Sequence, residues 1–220
     1  MTPVRNLLSL AIFALTVLAP LAGLAPTRAQ EAPPNAEPKG DKGEKSAPLA
    51  PGGLPRTPAE RDSVLGDLYE KLAASKDETE AKAIEENLER VWLHSGSPTV
   101  DLLFGRAMKP VAQKDYDQAL VFFDHVVEQA PDFTEGWSRR AFVHYQRNEV
   151  GLALGDLRRA LALDPSNFKA LDGLAQVLRE IGENKAALAV LRRLVEVHPH
   201  WPGTDKAIEE LAREVEGQAL

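Results

Sequence analysis

The feature that most constrains this chain is a sequence period of 34 residues in its second half. Pro131, Pro165 and Pro199 are spaced by 34, and three further columns repeat at the same interval. Those columns are Ala119, Ala153 and Ala187; Leu120, Leu154 and Leu188; and Phe123, Leu157 and Leu191. A fixed period of this length indicates an array of supersecondary units, each of which buries its apolar face only against its neighbours. From Thr57 onward the periodicity is helical, so we expect helical units.

The period divides the array into units at 100–133, 134–167 and 168–201. Each unit begins with an amphipathic helix, passes through a short polar turn and ends with a second helix, whose column alanine lets the two helices cross closely. Asn148 and Gly182 share one column of the turn, and both residue types tolerate the left-handed backbone that ends a helix. Proline near the end of each unit stops the second helix.

These units resemble the tetratricopeptide repeat (TPR) family. The residues that carry the resemblance are Ala107, Tyr116, Ala119, Phe123 and Pro131 in the first unit; Trp137, Ala141, Ala153, Leu157, Ala160 and Pro165 in the second; and Leu171, Ala175, Ala187, Leu191, Leu194 and Pro199 in the third. The resemblance implies an all-α fold, a right-handed solenoid of three helical hairpins, with function on the concave groove that the first helices line.

Helical segments flank the array on both sides. Residues 58–97 contain two amphipathic stretches outside the 34-residue register, the first preceded by Thr57 with Glu60 three residues later, as in a capping box. We interpret them as a helical hairpin that is a degenerate repeat or a cap. Thr204 begins a last amphipathic segment, so residues 203–217 are predicted to form a capping helix.

The amino terminus has the pattern of an export signal. Residues 1–29 combine Arg5, an uncharged apolar run from Leu7 to Leu18 and a small residue, Ala29, at the expected cleavage position. Cleavage near Ala29 and a bacterial periplasmic location are therefore expected. An uncleaved membrane anchor is the alternative, although the apolar run is shorter than the roughly 20 residues that span a bilayer. Residues 30–57 are rich in proline and predict a disordered linker.

Composition and motifs exclude several classes of function. The net charge is −7, whereas a nucleic-acid-binding protein needs a basic field, and cysteine is absent. No phosphate-binding glycine loop, nucleophile elbow or zinc-protease pair occurs. His198 and His200 form an H-x-H pair that could hold a metal together with a third ligand, and the alternative, which we favour, is that His198 caps the end of a helix. We therefore predict a non-enzymatic protein without cofactor or metal.

The resemblance assigns the groove column by column. The candidate partner-binding residues are Phe104, Met108, Ser138, Arg139, Phe142, Tyr145, Lys169, Asp172, Gln176 and Arg179, and the same columns include Asp101, Gly105, Val111, Glu135 and Gly173. The lysines and asparagines with which some family members clamp a peptide carboxylate are absent. An aromatic and methionine floor with flanking charges favours a short helix or an extended peptide of a partner. Alternatively, the amino-terminal hairpin fills the groove over Phe104 and Met108.

The functional hypothesis is an exported TPR adaptor or scaffold that binds a protein partner. Contact with the membrane is expected only through an uncleaved leader, and homo-oligomerisation stays open. One alternative is a self-associating structural protein of the cell envelope, with Trp137 or Trp201 at the interface. The other is a hydrolase that uses His144 or His198, which the motif search disfavours.

Overall fold

The computed structural model of the chain describes residues 53–55 and 57–217. The leader predicted for 1–29, and the linker predicted for 30–57 apart from its last residues, lie outside the described part of the chain. Within that part the fold contains nine helices and no strand, which confirms the all-α class. The helices are α1 (Pro58–Ala73), α2 (Glu78–Trp92), α3 (Pro98–Ala112), α4 (Tyr116–Gln129), α5 (Thr134–Gln146), α6 (Val150–Leu163), α7 (Phe168–Glu180), α8 (Asn184–Val197) and α9 (Thr204–Glu216).

None of the helices between 57 and 217 is both long and apolar enough to cross a membrane.

The turn within each repeated hairpin has a left-handed backbone conformation at the same position of the repeat. Lys114, Asn148 and Gly182 are 34 residues apart and have φ of 59°, 62° and 78°. In the second hairpin the backbone N–H of Glu149 bonds the carbonyl of His144 at 2.9 Å, the six-to-one bond of a Schellman motif. The positive φ predicted for the column of Asn148 and Gly182 is confirmed, and Lys114 adopts it as well.

Consecutive hairpins pack through a shared apolar seam. The pairs α3–α4, α5–α6 and α7–α8 form the hairpins, and α4 lies against α5, α6 against α7 and α8 against α9. The helices α4 and α5 approach closely at Gly136, where a Cβ atom would lie 2.8 Å from Cγ1 of Val126 and 3.5 Å from Cγ1 of Val127. Since Val126 is fully buried, α4 and α5 can meet this closely only because Gly136 has no side chain.

The first hairpin ends the array, and its outer face is exposed. Its residue Leu102 is 56% exposed, whereas Ala170, in the same column of the third unit, is buried. Lys109 is also exposed, whereas its column partners Val143 and Val177 are buried. A charged residue suits the position of Lys109, because no further hairpin covers a terminal unit.

The amino-terminal hairpin, α1 and α2, packs against the third unit. Its buried residues Leu72, Leu88 and Trp92 belong to one apolar core with residues of α7, α8 and α9. The Trp92 ring lies 5.0 Å from that of Phe168, measured between centroids, and Phe168 in turn lies 4.9 Å from Trp201. The hairpin predicted for 58–97 therefore covers the edge of the array where α7 begins and α8 ends.

Buried polar groups add directional links to this edge. The Tyr69 hydroxyl donates to Oδ2 of Asp164 at 2.5 Å and accepts from Nε1 of Trp92 at 3.1 Å. Burial, followed by the nearby charge of Asp164, raises the pKa of Tyr69, so the hydroxyl keeps its proton. Burial also raises the pKa of Asp164, and the Tyr69 bond opposes that shift. One phenol thus joins α1, α2 and the end of α6.

Two histidines complete the attachment of the amino-terminal hairpin. His198 is 1% exposed, and its Nε2 lies 2.9 Å from Oε1 of Glu85 on α2. Nε2 of His200 lies 2.9 Å from the backbone oxygen of Ser75. The pair that resembled an isolated metal motif in the sequence is used to hold α1 and α2 in place.

The close packing at Gly136 predicts that one added methyl group lowers stability at this position and not at an open one. Gly136→Ala should lower the free energy of unfolding by about 1 to 3 kcal/mol, because the new Cβ overlaps Val126 in a close-packed interface. Gly155→Ala is the matched control, since Gly155 lies in α6 with no atom within 4 Å of its Cβ position. It should leave stability unchanged or raise it by up to about 1 kcal/mol, measured by urea denaturation. Equal effects at both sites would contradict the close approach.

The hydroxyl of Tyr69 predicts a second stability difference. Tyr69→Phe leaves Asp164 without its donor and Trp92 Nε1 without its acceptor, so unfolding should become easier by about 1 to 3 kcal/mol. Tyr116→Phe is the control, because the Tyr116 hydroxyl makes only an exposed 3.4 Å bond to Gln146. Its effect should stay within about 0.5 kcal/mol in the same urea titration. If Tyr69→Phe changes the free energy of unfolding as little as Tyr116→Phe does, the hydrogen bonds of the Tyr69 hydroxyl do not stabilise the fold.

Candidate peptide-binding groove

A pocket of about 330 Å³ lies between α5 and α7, the first helices of the second and third hairpins. Side chains three and four residues apart on a helix share a face, which places Ser138, Phe142 and Tyr145 on one wall. The residues that line the pocket are Glu135, Ser138, Arg139, Ala141, Phe142, Tyr145, Gln146, Leu157, Lys169, Asp172, Gly173, Gln176, Val177 and Trp201.

The structure brings together most of the residues that the sequence proposed for the groove. The pocket is lined by Ser138, Arg139, Phe142, Tyr145, Lys169, Asp172 and Gln176. Phe142 is 45% exposed although it is a large aromatic side chain. Burial would stabilise such a ring, so in this concave site the Phe142 side chain is available for contact with a ligand.

Phe104, Met108 and Arg179 lie elsewhere. Phe104 is 4% exposed, and its ring lies 5.8 Å from that of Phe123 and 5.5 Å from that of Phe133. Met108 is half-buried and packs against the same cluster. Phe104 is therefore part of the core of the first hairpin, and the residues that cover it come from α4 and the α4–α5 loop. Arg179 lines a separate shallow depression.

Leu157 and Trp201 also line the pocket and were not among the candidates, whereas Gly173 was assigned to a groove column. A Cβ atom at Gly173 would lie 3.3 Å from Cδ2 of Leu157, so the absence of a side chain at Gly173 leaves Leu157 at the pocket floor. Trp201 also lines the pocket, and its ring packs against that of Phe168 at an interplanar angle of 55°. Gly173 shares the column of Arg139, and that shared column is the sequence signal that could have indicated an open floor.

Glu135 is a buried acid at the start of α5. It is 2% exposed, and its Oε1 accepts from Nε of Arg139 at 2.6 Å. Its Oε2 is buried and accepts no hydrogen bond from the described residues. An unpaired buried carboxylate oxygen is costly, and such oxygens concentrate at functional sites.

Asp172 is a second pocket acid, and no cation of the described chain pairs with it. Its Oδ2 accepts from Nε2 of Gln176 at 2.8 Å, and no described lysine, arginine or histidine lies within ion-pair distance. Burial raises the pKa of Asp172, while side-chain hydrogen bonds from Trp201 and Gln176 oppose part of that shift. The charged form of this carboxyl is therefore disfavoured in the folded chain.

Lys169 at the rim is engaged within the chain. Its Nζ pairs with Oε1 of Glu89 on α2 and lies 5.9 Å from the centroid of the Trp92 ring. Opposite it, Tyr145 interacts with Glu180, and that hydrogen bond is the main cause of the raised pKa of Tyr145. The amino-terminal hairpin thus reaches the rim of the pocket without entering it.

The histidines proposed for a hydrolase lie outside the pocket. His144 is buried, with Nδ1 2.7 Å from Glu149 and Nε2 3.8 Å from Asp156. His198 is packed between Glu85 and the Phe168 ring. Among the described residues, no group of three or more potential ligands that could hold a metal is present.

The two tryptophans proposed for an oligomer interface have partners within the chain. Nε1 of Trp137 donates to the backbone oxygen of Pro131 at 3.1 Å, and the Arg140 guanidinium carbon lies 4.8 Å from the centre of its ring. Trp201 packs on Phe168 and lines the pocket. Both rings remain half-exposed.

An array of helical hairpins with a pocket between successive first helices defines a solenoid repeat protein. Comparison with known families gives the specific class, because the tetratricopeptide repeat model matches residues 169–200. A TPR repeat-containing protein of Rhizobium etli is 28% identical over 153 residues, which are 70% of this chain and 75% of the relative. Residues 169–200 therefore match a tetratricopeptide repeat, and the chain is similar to a TPR protein over most of its length.

Solved structures share the fold at low sequence identity. The first TPR of Spaghetti (RPAP3), bound to the HSP90 peptide SRMEEVD, has a TM-score of 0.51 and 18% identity, over 53% of this chain and 93% of that one. The Yersinia enterocolitica type III secretion chaperone SycD, in complex with a peptide of the translocator YopD, has a TM-score of 0.51 and 15% identity, over 54% and 95%. These likenesses show the fold.

The position of Asp172 predicts a pH-dependent difference in stability. A raised pKa in the folded state means that Asp172 favours folding at low pH, and that this contribution is lost as the pH rises through the raised pKa. Asp172→Asn does not titrate, so its free energy of unfolding should increase relative to wild type between about pH 3.5 and pH 7. The measurement is urea denaturation across that range.

Glu128→Gln is the control for this experiment, because the Glu128 side chain is 78% exposed and lies on α4, away from the pocket. Its pH profile should follow that of wild type. A stability difference between Asp172→Asn and wild type that stays constant with pH would show that burial does not disfavour the Asp172 carboxylate.

Proposed function

We propose that this chain is an exported, non-enzymatic TPR adaptor or scaffold that binds a peptide or helix of a partner protein in the pocket between α5 and α7. The observation that carries the proposal is the exposed Phe142 ring beside an apolar floor formed by Leu157 and Val177. Exposed aromatic anchors in concave sites are typical of surfaces that receive apolar side chains of a partner.

The related solved structures support the choice of ligand class. The TPR domain of Spaghetti and the chaperone SycD were both solved in complex with a peptide. A peptide is also the ligand that the pocket dimensions and its mixed lining favour, because apolar floor residues lie beside hydrogen-bonding groups such as Ser138 and Gln176.

The proposal of export rests on the amino-terminal sequence. An uncharged apolar run after Arg5, followed by Ala29, is the pattern of a cleaved leader that directs a protein to the periplasm. The proline-rich segment 30–57 then serves as a spacer before α1. On this proposal the mature chain begins at Gln30, and its partner is a protein of the cell envelope.

The pocket aromatics predict how partner binding depends on sequence. The chain and its Phe142→Ala/Tyr145→Ala variant are used to capture partners from an envelope extract, and the recovered partner is then purified and titrated by calorimetry. Loss of two central aromatic contacts should weaken binding by at least about tenfold. Mass spectrometry of the same preparation reports the mature N-terminus.

Leu152→Ala is the matched control, since Leu152 is 57% exposed on α6 and does not line the pocket. This variant should bind the partner as wild type does. If the double aromatic variant recovers and binds the partner with unchanged affinity, the pocket is not the binding surface.

A further inference from the structure

Two carboxyl groups of the pocket between α5 and α7 are incompletely paired. Oε2 of Glu135 is buried and accepts no hydrogen bond from the described residues, and Asp172 has no described cation within ion-pair distance. Both carboxyl groups belong to the pocket lining. Glu135 is almost completely removed from bulk solvent and Asp172 is half-buried, so water screens their charge less than it would at an exposed site.

The two cationic residues that line the pocket, one on each wall, already pair with acids of the chain. Nε of Arg139 donates to Glu135 at 2.6 Å, four residues earlier on α5. Lys169 pairs with Glu89, which α2 brings to the rim from outside the pocket. When Glu89 is counted with the lining charges, the carboxylates exceed the cations, and the charge without a partner is that of Asp172.

A ligand that carries a positive charge corrects this imbalance. A lysine or arginine side chain has several N–H donors and an apolar stem, so it can lie along Phe142 and Leu157 while its head bonds a carboxylate. Burial disfavours ionised Asp172 in the free chain, and a cation beside it favours the ionised form again. The net charge of −7 attracts cationic segments over longer distances as well.

Resting on the proposed function, we propose that this pocket selects a partner segment in which a lysine or arginine lies beside an apolar anchor residue. The apolar anchor contacts Phe142 and the floor, and the basic head group lies between Glu135 and Asp172. A peptide as acidic as SRMEEVD, bound in the Spaghetti structure, would place further carboxylates next to these two. Like charges in a poorly screened site repel, so acidic segments are disfavoured.

The first experiment reads the preference without assuming a partner. A phage-displayed library of random 12-residue peptides is selected on the wild-type chain and counter-selected on Phe142→Ala/Tyr145→Ala. The pocket-dependent peptides should be enriched in lysine or arginine next to aromatic or aliphatic residues, relative to the input library. Enrichment in aspartate, in glutamate or in a free carboxyl terminus would overturn the charge preference.

The second experiment tests whether Glu135 and Asp172 cause the preference for a basic residue. A selected peptide and its Lys→Gln or Arg→Gln version are titrated by fluorescence anisotropy against wild type, Asp172→Asn and Glu135→Gln. The basic peptide should bind each variant at least about tenfold more weakly than wild type, a loss typical of a truncated charged pair in a buried site. The glutamine peptide should bind all three proteins equally, which isolates the pairwise interaction.

Controls separate this inference from the proposed function. Glu128→Gln removes an exposed acid on α4 and should bind the basic peptide like wild type. If the basic peptide depends on Phe142 but not on Asp172 or Glu135, the pocket binds peptides and the charge preference is wrong. If the library contains no Phe142-dependent binder, the proposed function fails and this inference with it. Asp172→Asn keeps the test valid if Glu135→Gln does not fold, because Asp172 is only half-buried.

Discussion

The structure depends on the apolar seam between one hairpin and the next. No single hairpin of this size can cover its own apolar face, so α4 must be covered by α5 and α6 by α7. The seam is close-packed, and at Gly136 it leaves no room for a side chain. The stacking of the second hairpin on the third brings α5 near α7, and these two helices form the walls of a pocket. The groove is thus a consequence of how the hairpins stack.

The amino-terminal hairpin adds a second constraint that the repeats do not contain. It packs its Trp92 and Leu88 against the third unit and bonds that edge through Tyr69 and Glu85. In doing so it places Glu89 beside Lys169, so a helix outside the array compensates the positive charge of one pocket residue. Stability of the edge and electrostatics of the groove are therefore linked through α2.

The pocket contains groups that do not help the chain to fold. The Phe142 ring is exposed, Asp172 is a half-buried acid without a cation, and one oxygen of Glu135 has no donor among the described residues. Sites that bind partners commonly retain such features, because a residue that favours binding can lower the stability of the free protein. Their concentration in one 330 Å³ pocket is the physical basis for assigning function to this surface.

The sequence by itself determined the hairpins, their turns and the columns that face the groove. Contacts between units repeat every 34 residues, so Asn148 and Gly182 could be assigned a left-handed turn, and Ser138, Phe142 and Asp172 a common face. Such inferences succeed because helix geometry and repeat spacing are local rules.

Only the tertiary structure decided which members of a groove column are accessible. Phe104 shares a column with Ser138 and Asp172, yet it is buried by Phe123 and Phe133. The docking of the amino-terminal hairpin was also beyond the sequence, since Glu85 and His198 are 113 residues apart and outside any common period. Burial and long-range docking depend on how complementary shapes fit together in three dimensions, and a one-dimensional pattern of residue types does not contain that information.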